Sequence, residues 1–226
     1  LKLAKEKNAD LVLATDPDAD RLGVYVKDTS SGSYIPLTGN MSGSLLCDYV
    51  LSQKQKKGEI PADGQVVKSI VTTNLVDAVA AHYGCELVEV LTGFKYIGQQ
   101  ILKEEQTGKG HYMFGMEESY GCLIGTYARD KDAISATAAL CEAAAYYKEK
   151  GMTLWDAMLA MYEKYGYYKD TVKSIGLKGI EGLAKIQQIM EYFRKTPLKE
   201  LGGYSVTAVR DYKADTITDT ATGAVT

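Results

Sequence analysis

The stretch "VVKSIVTTNLVDAVAAHYGCELVEV", residues 66–90, decides the fold class. "VVKSIV" and "ELVEV" are short and rich in β-branched residues, so each reads as a strand. Between them, "NLVDAVAAHYG" has the apolar spacing of a helix and meets a stop at Gly84. A strand, a helix and a strand at this spacing predict parallel strands joined by a crossover helix. The alternation continues with "FKYIGQQILKEE" (94–105) as helix and "HYMFGM" (111–116) as strand. "DAISATAALCEAAAYYKEKG" (132–151) is a long helix ended by Gly151, and "TLWDAMLAMYEKYG" (153–166) is amphipathic. The predicted class is α/β, a parallel or mixed sheet flanked by helices.

Upstream, "ADLVLAT" (9–15) and "RLGVYV" (21–26) are strands on either side of an acidic turn, and "DTSSGS" (28–33) turns into "YIPLTG" (34–39). A helix is expected from Asn40, as its cap, through "SLLCDYVLSQ"; "KQKKGEIPADG" (54–64) then reads as a polar loop with solvated lysines. Downstream, "YYKDTVKSIGL" (167–177) looks like a strand and "IEGLAKIQQIMEYFRK" (180–195) like a helix. Pro197 and "LGGYSV" break that pattern, and 204–226 is strand-like.

Of the 226 residues, 46% are hydrophobic and 24% charged, which fits a globular protein with a real core. A formal net charge of −3 provides no global basic field for nucleic acid. The four cysteines lie far apart with no C-x-x-C pair, so a reducing, cytoplasmic setting is expected. No apolar run approaches the ~18 residues that cross a membrane, and no signal peptide is expected. The chain opens on "LKLAKEKNAD", which reads as the end of a helix, and stops at "TDTATGAVT" without a closing apolar element. A piece of a longer protein is therefore expected.

In parallel sheets, ligands bind outside the carboxyl ends of the strands. Those ends are "TTN" (72–74), "LTGFK" (91–95) and "GMEESYG" (115–121), all polar or glycine-bearing. The acidic turn adds Asp16, Asp18 and Asp20, alternating with Pro17 and Ala19 and followed by Arg21. Three carboxylates so close raise one another's pKa unless a cation compensates. A helix-loop-helix calcium site needs Gly sixth and Glu twelfth, where this chain has Arg21 and Lys27. Three ligands leave room for water or a phosphate oxygen, which suits magnesium. Three other readings stand: an aspartyl-phosphate phosphotransferase or phosphatase with Asp16 as nucleophile and Asp18 as acid/base, a non-catalytic cation-binding module, and a merely solvated acidic turn.

"TDPDADR" (15–21) resembles the magnesium loop of the phosphohexomutases, the phosphoglucomutase and phosphomannomutase family. "LTGFK", "GMEESYG" and "RDKDA" (129–133) follow in the order and approximate spacing of that family's third-domain motifs. The resemblance implies an enzyme that interconverts hexose 1-phosphate and 6-phosphate through a phosphoserine and a bisphosphate, glucose 1,6-bisphosphate serving as activator. It implies Mg2+ on Asp16, Asp18 and Asp20, with a phosphoserine oxygen as fourth ligand and Arg21 beside the site. It implies a sugar loop bearing Glu117 and Ser119, a substrate-lining turn at Thr92 and Gly93, and positive charge from Lys95, Arg129 and Lys131. Lys131 matches a residue proposed in the family as general acid/base, a role that needs a depressed pKa. Each has a plainer reading: a surface carboxylate, an ordinary strand-to-helix turn, a solvent-facing lysine.

The family's phosphoserine loop places Ser before His, whereas His82 and His111 here follow Ala81 and Gly110. The family's C-terminal phosphate-gripping loop has no match either, and Asn40 stands where Asp is expected. By resemblance, residues 1–37 are the end of domain two with the magnesium loop, 38–170 are the sugar-binding domain three, and 171–226 are a linker and the start of domain four. Domains one and four would be missing partners, and the chain alone is expected to be inactive. Substrate is a small hexose phosphate; neither nucleic acid nor membrane is expected.

Overall fold

The computed structural model describes residues 1–172 and 174–226, which form two compact units, Leu1–Asp170 and Thr171–Thr226. The first unit begins with α1 (Lys2–Lys7) and an antiparallel meander, β1 (Leu11–Thr15), β2 (Leu22–Asp28) and β3 (Ser33–Leu37). Next come α2 (Gly39–Lys57), β4 (Gly64–Ser69), α3 (Leu75–His82), β5 (Glu86–Val90), α4 (Phe94–Thr107), β6 (His111–Met116) and β7 (Cys122–Leu123). Two helices close the unit, α5 (Ala133–Lys148) and α6 (Leu154–Tyr165). The main sheet has the order β5-β4-β6-β7; β4 runs parallel to both neighbours and β7 is antiparallel to β6. The mixed α/β architecture matches the sequence pattern.

β4 is buried along its whole length, so its side chains feed two cores. Val67 packs with Phe94, Ile97 and Ile101 of α4, while Val66 faces α2, α3, α5 and α6. That is the two-residue alternation of a strand. β6 departs from it: Tyr112 sits on the α4 side and Phe114 on the other, because Met113 is an extra residue opposite the Gln65/Val66 step. The meander joins the larger core through Leu22, Val24, Val26 and Leu37. The acidic loop between β1 and β2 is thereby anchored to the same body as the main sheet.

Three local expectations change. Thr38, not Asn40, caps α2: its backbone is extended and its side chain accepts from the Met41 N–H at 3.2 Å. Asn40 lies inside the first turn and accepts from the Thr73 N–H at 3.1 Å. α2 continues through Lys54–Lys57 to Gly58 at φ 70°, so the polar loop is shorter than expected. Among the described residues of 167–177 there is no strand; Tyr167, Val172 and Ile175 are exposed and no sheet edge pairs with them.

The second unit holds α7 (Gly179–Lys195) and two small hairpins, β8 (Glu200–Leu201) with β9 (Tyr204–Ser205), and β10 (Ala208–Asp211) with β11 (Thr216–Asp219). "LGGYSV" is the turn and second strand of the first hairpin, with Gly202 and Gly203 at positive φ. No described helix is long and apolar enough to cross a membrane.

Candidate functional site

Fully extended backbone would spread Asp16 and Asp20 by roughly 13 Å. The chain curls instead, and carboxylate oxygens of Asp16, Asp18 and Asp20 all lie within 4.8 Å of one another. The Ala19 N–H donates to the Asp16 carbonyl at 3.1 Å, with Ala19 itself at φ 56°. Asp16 also organises the loop with its side chain: Oδ1 accepts from the backbone N–H groups of Asp20 and Arg21, at 3.2 and 3.1 Å. Its Oδ2 accepts from Arg21 Nε at 2.7 Å. Desolvation pushes the Asp16 carboxyl up, but the Arg21 N–H, the guanidinium and Asp20 outweigh it and hold the pKa at about 2.

Asp20 divides its two oxygens. Oδ2 meets Lys131 Nζ at 2.9 Å. Oδ1 is a buried atom with no hydrogen bond, 3.4 Å from Arg21 Nε. An acceptor buried in that state is costly without a partner. Three converging carboxylates, one with a buried oxygen that accepts no hydrogen bond, could hold a hard divalent cation.

The second loop, 117–121, joins β6 to β7. Glu117 is 5% exposed, and its Oε1 accepts from the Gly93 N–H at 2.8 Å. Burial pushes the Glu117 carboxyl above its ordinary value, with the Gly93 N–H and Lys131 opposing. Its Oε2 carries no hydrogen bond among the described residues. Oε1 thus serves the backbone, and Oε2 is the oxygen left for another partner. Gly93 has φ 120°, a conformation that L side chains rarely adopt, and it starts α4. Thr92 and Lys95 are exposed beside it, and Ser119 is half-buried.

The two loops touch. The Leu22 N–H donates to the Tyr120 carbonyl at 3.1 Å, and the Ala133 N–H donates to the Ala19 carbonyl at 3.1 Å. Lys131 bridges them with its side chain, which crosses Gly121: a Cβ there would stand 2.3 Å from Lys131 Cδ. From there the ammonium reaches Asp20 and Asp130 and stands 5.7 Å from the Phe94 ring centroid. Desolvation lowers the Lys131 pKa, but the hydrogen bonds to Asp20 and Asp130 prevail and raise it. That is the opposite of the depression a lysine base needs.

The structure therefore brings together Asp16, Asp18, Asp20, Arg21, Lys131, Glu117 and Gly93, with Thr92, Lys95 and Ser119 around them. It does not bring Arg129. That guanidinium pairs with Glu105 at 2.5 Å and with the Thr126 and Ala128 carbonyls. Glu105 lies eleven residues along α4 from Phe94, about 16 Å at helical rise. Two glycines escape a sequence reading: Gly121, which makes room for Lys131, and Gly39. A Cβ at 39 would stand 2.1 Å from the Glu118 carbonyl oxygen. The only signals they leave are a glycine in the first turn of α2, for Gly39, and the last residue of "GMEESYG", for Gly121.

The phosphoglucomutase/phosphomannomutase alpha/beta/alpha domain III family matches residues 38–165. A phosphoglucomutase of Staphylococcus aureus (strain MRSA252) is 38% identical over 215 residues, covering 94% of this chain and 37% of that protein. A putative phosphomannomutase from Thermus thermophilus superposes with TM-score 0.54 at 26% identity, over 69% of this chain and 31% of that one. Parafusin, a phosphoglucomutase from Paramecium, shares the fold with TM-score 0.56 at 20% identity, over 96% of this chain and 34% of that one. The chain thus spans about a third of the length of the relatives it matches.

Proposed function

The chain belongs to the phosphoglucomutase/phosphomannomutase family, and from that premise we propose that it is the metal- and sugar-holding part of a hexose-phosphate mutase. The observation that carries the reading is the junction of the two loops: a three-aspartate cluster tied by Lys131 to the loop that presents Glu117. In this reading residues 38–170 form the sugar-binding domain, 1–37 come from the domain before it, and 171–226 lead into the next. The reaction converts a hexose 1-phosphate to the 6-phosphate through a bisphosphate, with the phosphoserine outside these 226 residues.

Asp16, Asp18 and Asp20 would hold Mg2+, and the orphaned Asp20 oxygen supports that assignment. A bound magnesium ion neutralises charge on the transferring phosphoryl group. Arg21 fixes the curl of the loop through Asp16 and keeps a guanidinium beside the cluster. A planar, permanently charged group suits phosphate oxygens. Lys131 carries a full charge between the metal loop and the sugar loop, where it offsets charge that builds on oxygen during transfer. Glu117 Oε2 and the Ser119 hydroxyl would supply acceptors for ring hydroxyls, with the Thr92–Lys95 turn held beside them by the Gly93 hydrogen bond to Glu117. Of the three cations expected there, Lys95 and Lys131 are left to supply the positive charge, because the Arg129 guanidinium is held by Glu105.

The test is reconstitution. The 226-residue chain alone is expected to give no turnover. The same chain within a protein of its relatives' full length, with Mg2+ and glucose 1,6-bisphosphate, is expected to convert glucose 1-phosphate. No conversion by that longer protein would refute the reading.

A further inference from the structure

Of the three polar strand ends on the rim, residues 72–74 alone have no place in the proposed chemistry. They are nonetheless the most heavily tied. Lys68, at the end of β4, is fully buried, and its ammonium meets Asp77, Asn74 Oδ1 at 3.0 Å, the Thr73 carbonyl at 3.4 Å and Glu89 at 3.5 Å. A desolvated ammonium is tolerable only with such partners, so the turn is fixed around it. Asn40 fixes it again from α2 by accepting the Thr73 N–H. Two buried hydroxyls stand on this platform, Ser69 and Thr72, 2.8 Å apart. Both reach one oxygen of Glu118: Ser69 Oγ donates to Oε2 at 3.0 Å, and Thr72 Oγ1 at 3.4 Å.

Glu118 sits between Glu117 and Ser119, the two residues proposed to meet the sugar. Neighbouring side chains point apart, so Glu117 is anchored to Gly93 on one side and Glu118 to the end of β4 on the other. Two carboxylates with separate anchors fix the rotation of the loop between them. We propose that Glu118 is a positioning residue, whose bonds to Ser69 and Thr72 hold the 117–119 loop with Glu117 and Ser119 facing the hexose ring. The proposal rests on the assignment of Glu117 and Ser119 to the sugar. Without the clip, the loop must be ordered when substrate binds. That cost falls equally on the ground state and the transition state, so it appears in KM and not in kcat.

Steady-state kinetics of the full-length protein with glucose 1-phosphate, alongside melting temperatures, tests this. Glu118→Ala is expected to raise KM about tenfold with kcat within about twofold, the size of one lost charged hydrogen bond. Ser69→Ala is expected to raise KM about threefold alone and to add nothing on top of Glu118→Ala. Glu118→Gln, which retains an acceptor, is expected to recover most of the affinity. Glu117→Gln separates the two ideas. If it leaves KM unchanged, the sugar assignment itself fails. If it raises KM while Glu118→Ala and Ser69→Ala change only the melting temperature, the positioning role is overturned. Should Glu118→Ala not fold, Ser69→Ala decides: a wild-type KM overturns the proposal.

Discussion

The two loops that meet at Lys131 solve opposite electrostatic problems. The acidic loop gathers three carboxylates at an open edge and keeps Asp16 charged, its pKa held at about 2 by Arg21. The 117–121 loop takes one carboxylate out of water, and burial pushes it up. In the proposed reading the first arrangement attracts a cation. The second presents a preset acceptor whose orientation comes from a backbone N–H. Carboxylates with environments that differ in this way carry different tasks. The difference implies that metal use and sugar use are separable by mutation.

The largest break should come from the acidic loop. In the full-length protein, Asp18→Ala is expected to lower turnover roughly thousandfold, since metal charge supplies several kcal/mol of the barrier reduction. Its KM for glucose 1-phosphate is expected to move much less. Glu117→Gln should give the mirror image: KM for glucose 1-phosphate up roughly tenfold, with the Mg2+ dependence of the rate unchanged. Loss of both functions in either variant would collapse the distinction between the loops.

Two smaller effects sharpen it. Gly93→Ala forces a Cβ onto a residue at φ 120° and is expected to cost about 1–3 kcal/mol of stability, read by urea unfolding. Mg2+ affinity should survive that change, because Gly93 bonds to Glu117 and Tyr96 rather than to the aspartates. The smallest effect is on pH dependence. Glu117 has a raised pKa in the folded state, so the native protein binds its proton more tightly than the unfolded chain does. Its contribution to stability is full below the ordinary value of 4.5 and is lost as pH rises through the raised value. Wild-type protein should therefore lose ground to Glu117→Gln over that window in paired urea titrations. A difference that grows in the other direction would mean the carboxyl is not desolvated.

The same contrast governs how much was legible in the sequence. The acidic loop announces itself, since Asp16, Asp18 and Asp20 crowd a short turn between two strands. The strand and helix alternation from Gln65 onward gave the α/β class for the same reason: apolar periodicity is a local signal. What escaped was set by contacts distant in the chain. Thr38 took the cap because Asn40 was claimed by Thr73. The 167–177 segment has strand composition, but none of its described residues pairs with a sheet edge. Arg129 carries the right charge on the right motif, yet Glu105 draws it down α4. Glu118 carries no signal of its own in the sequence, and only the fold shows that Ser69 and Thr72 anchor it while Gly93 anchors Glu117.

The central claim is that the aspartate cluster serves phosphoryl transfer to a sugar held by the neighbouring loop. Phosphorus NMR of the full-length protein with glucose 1-phosphate, Mg2+ and the bisphosphate activator tests it most directly. Steady growth of a 6-phosphate signal is expected in the wild type, and none on the same timescale when Asp16, Asp18 and Asp20 are all replaced by Asn. Conversion at the wild-type rate by that triple variant would contradict it.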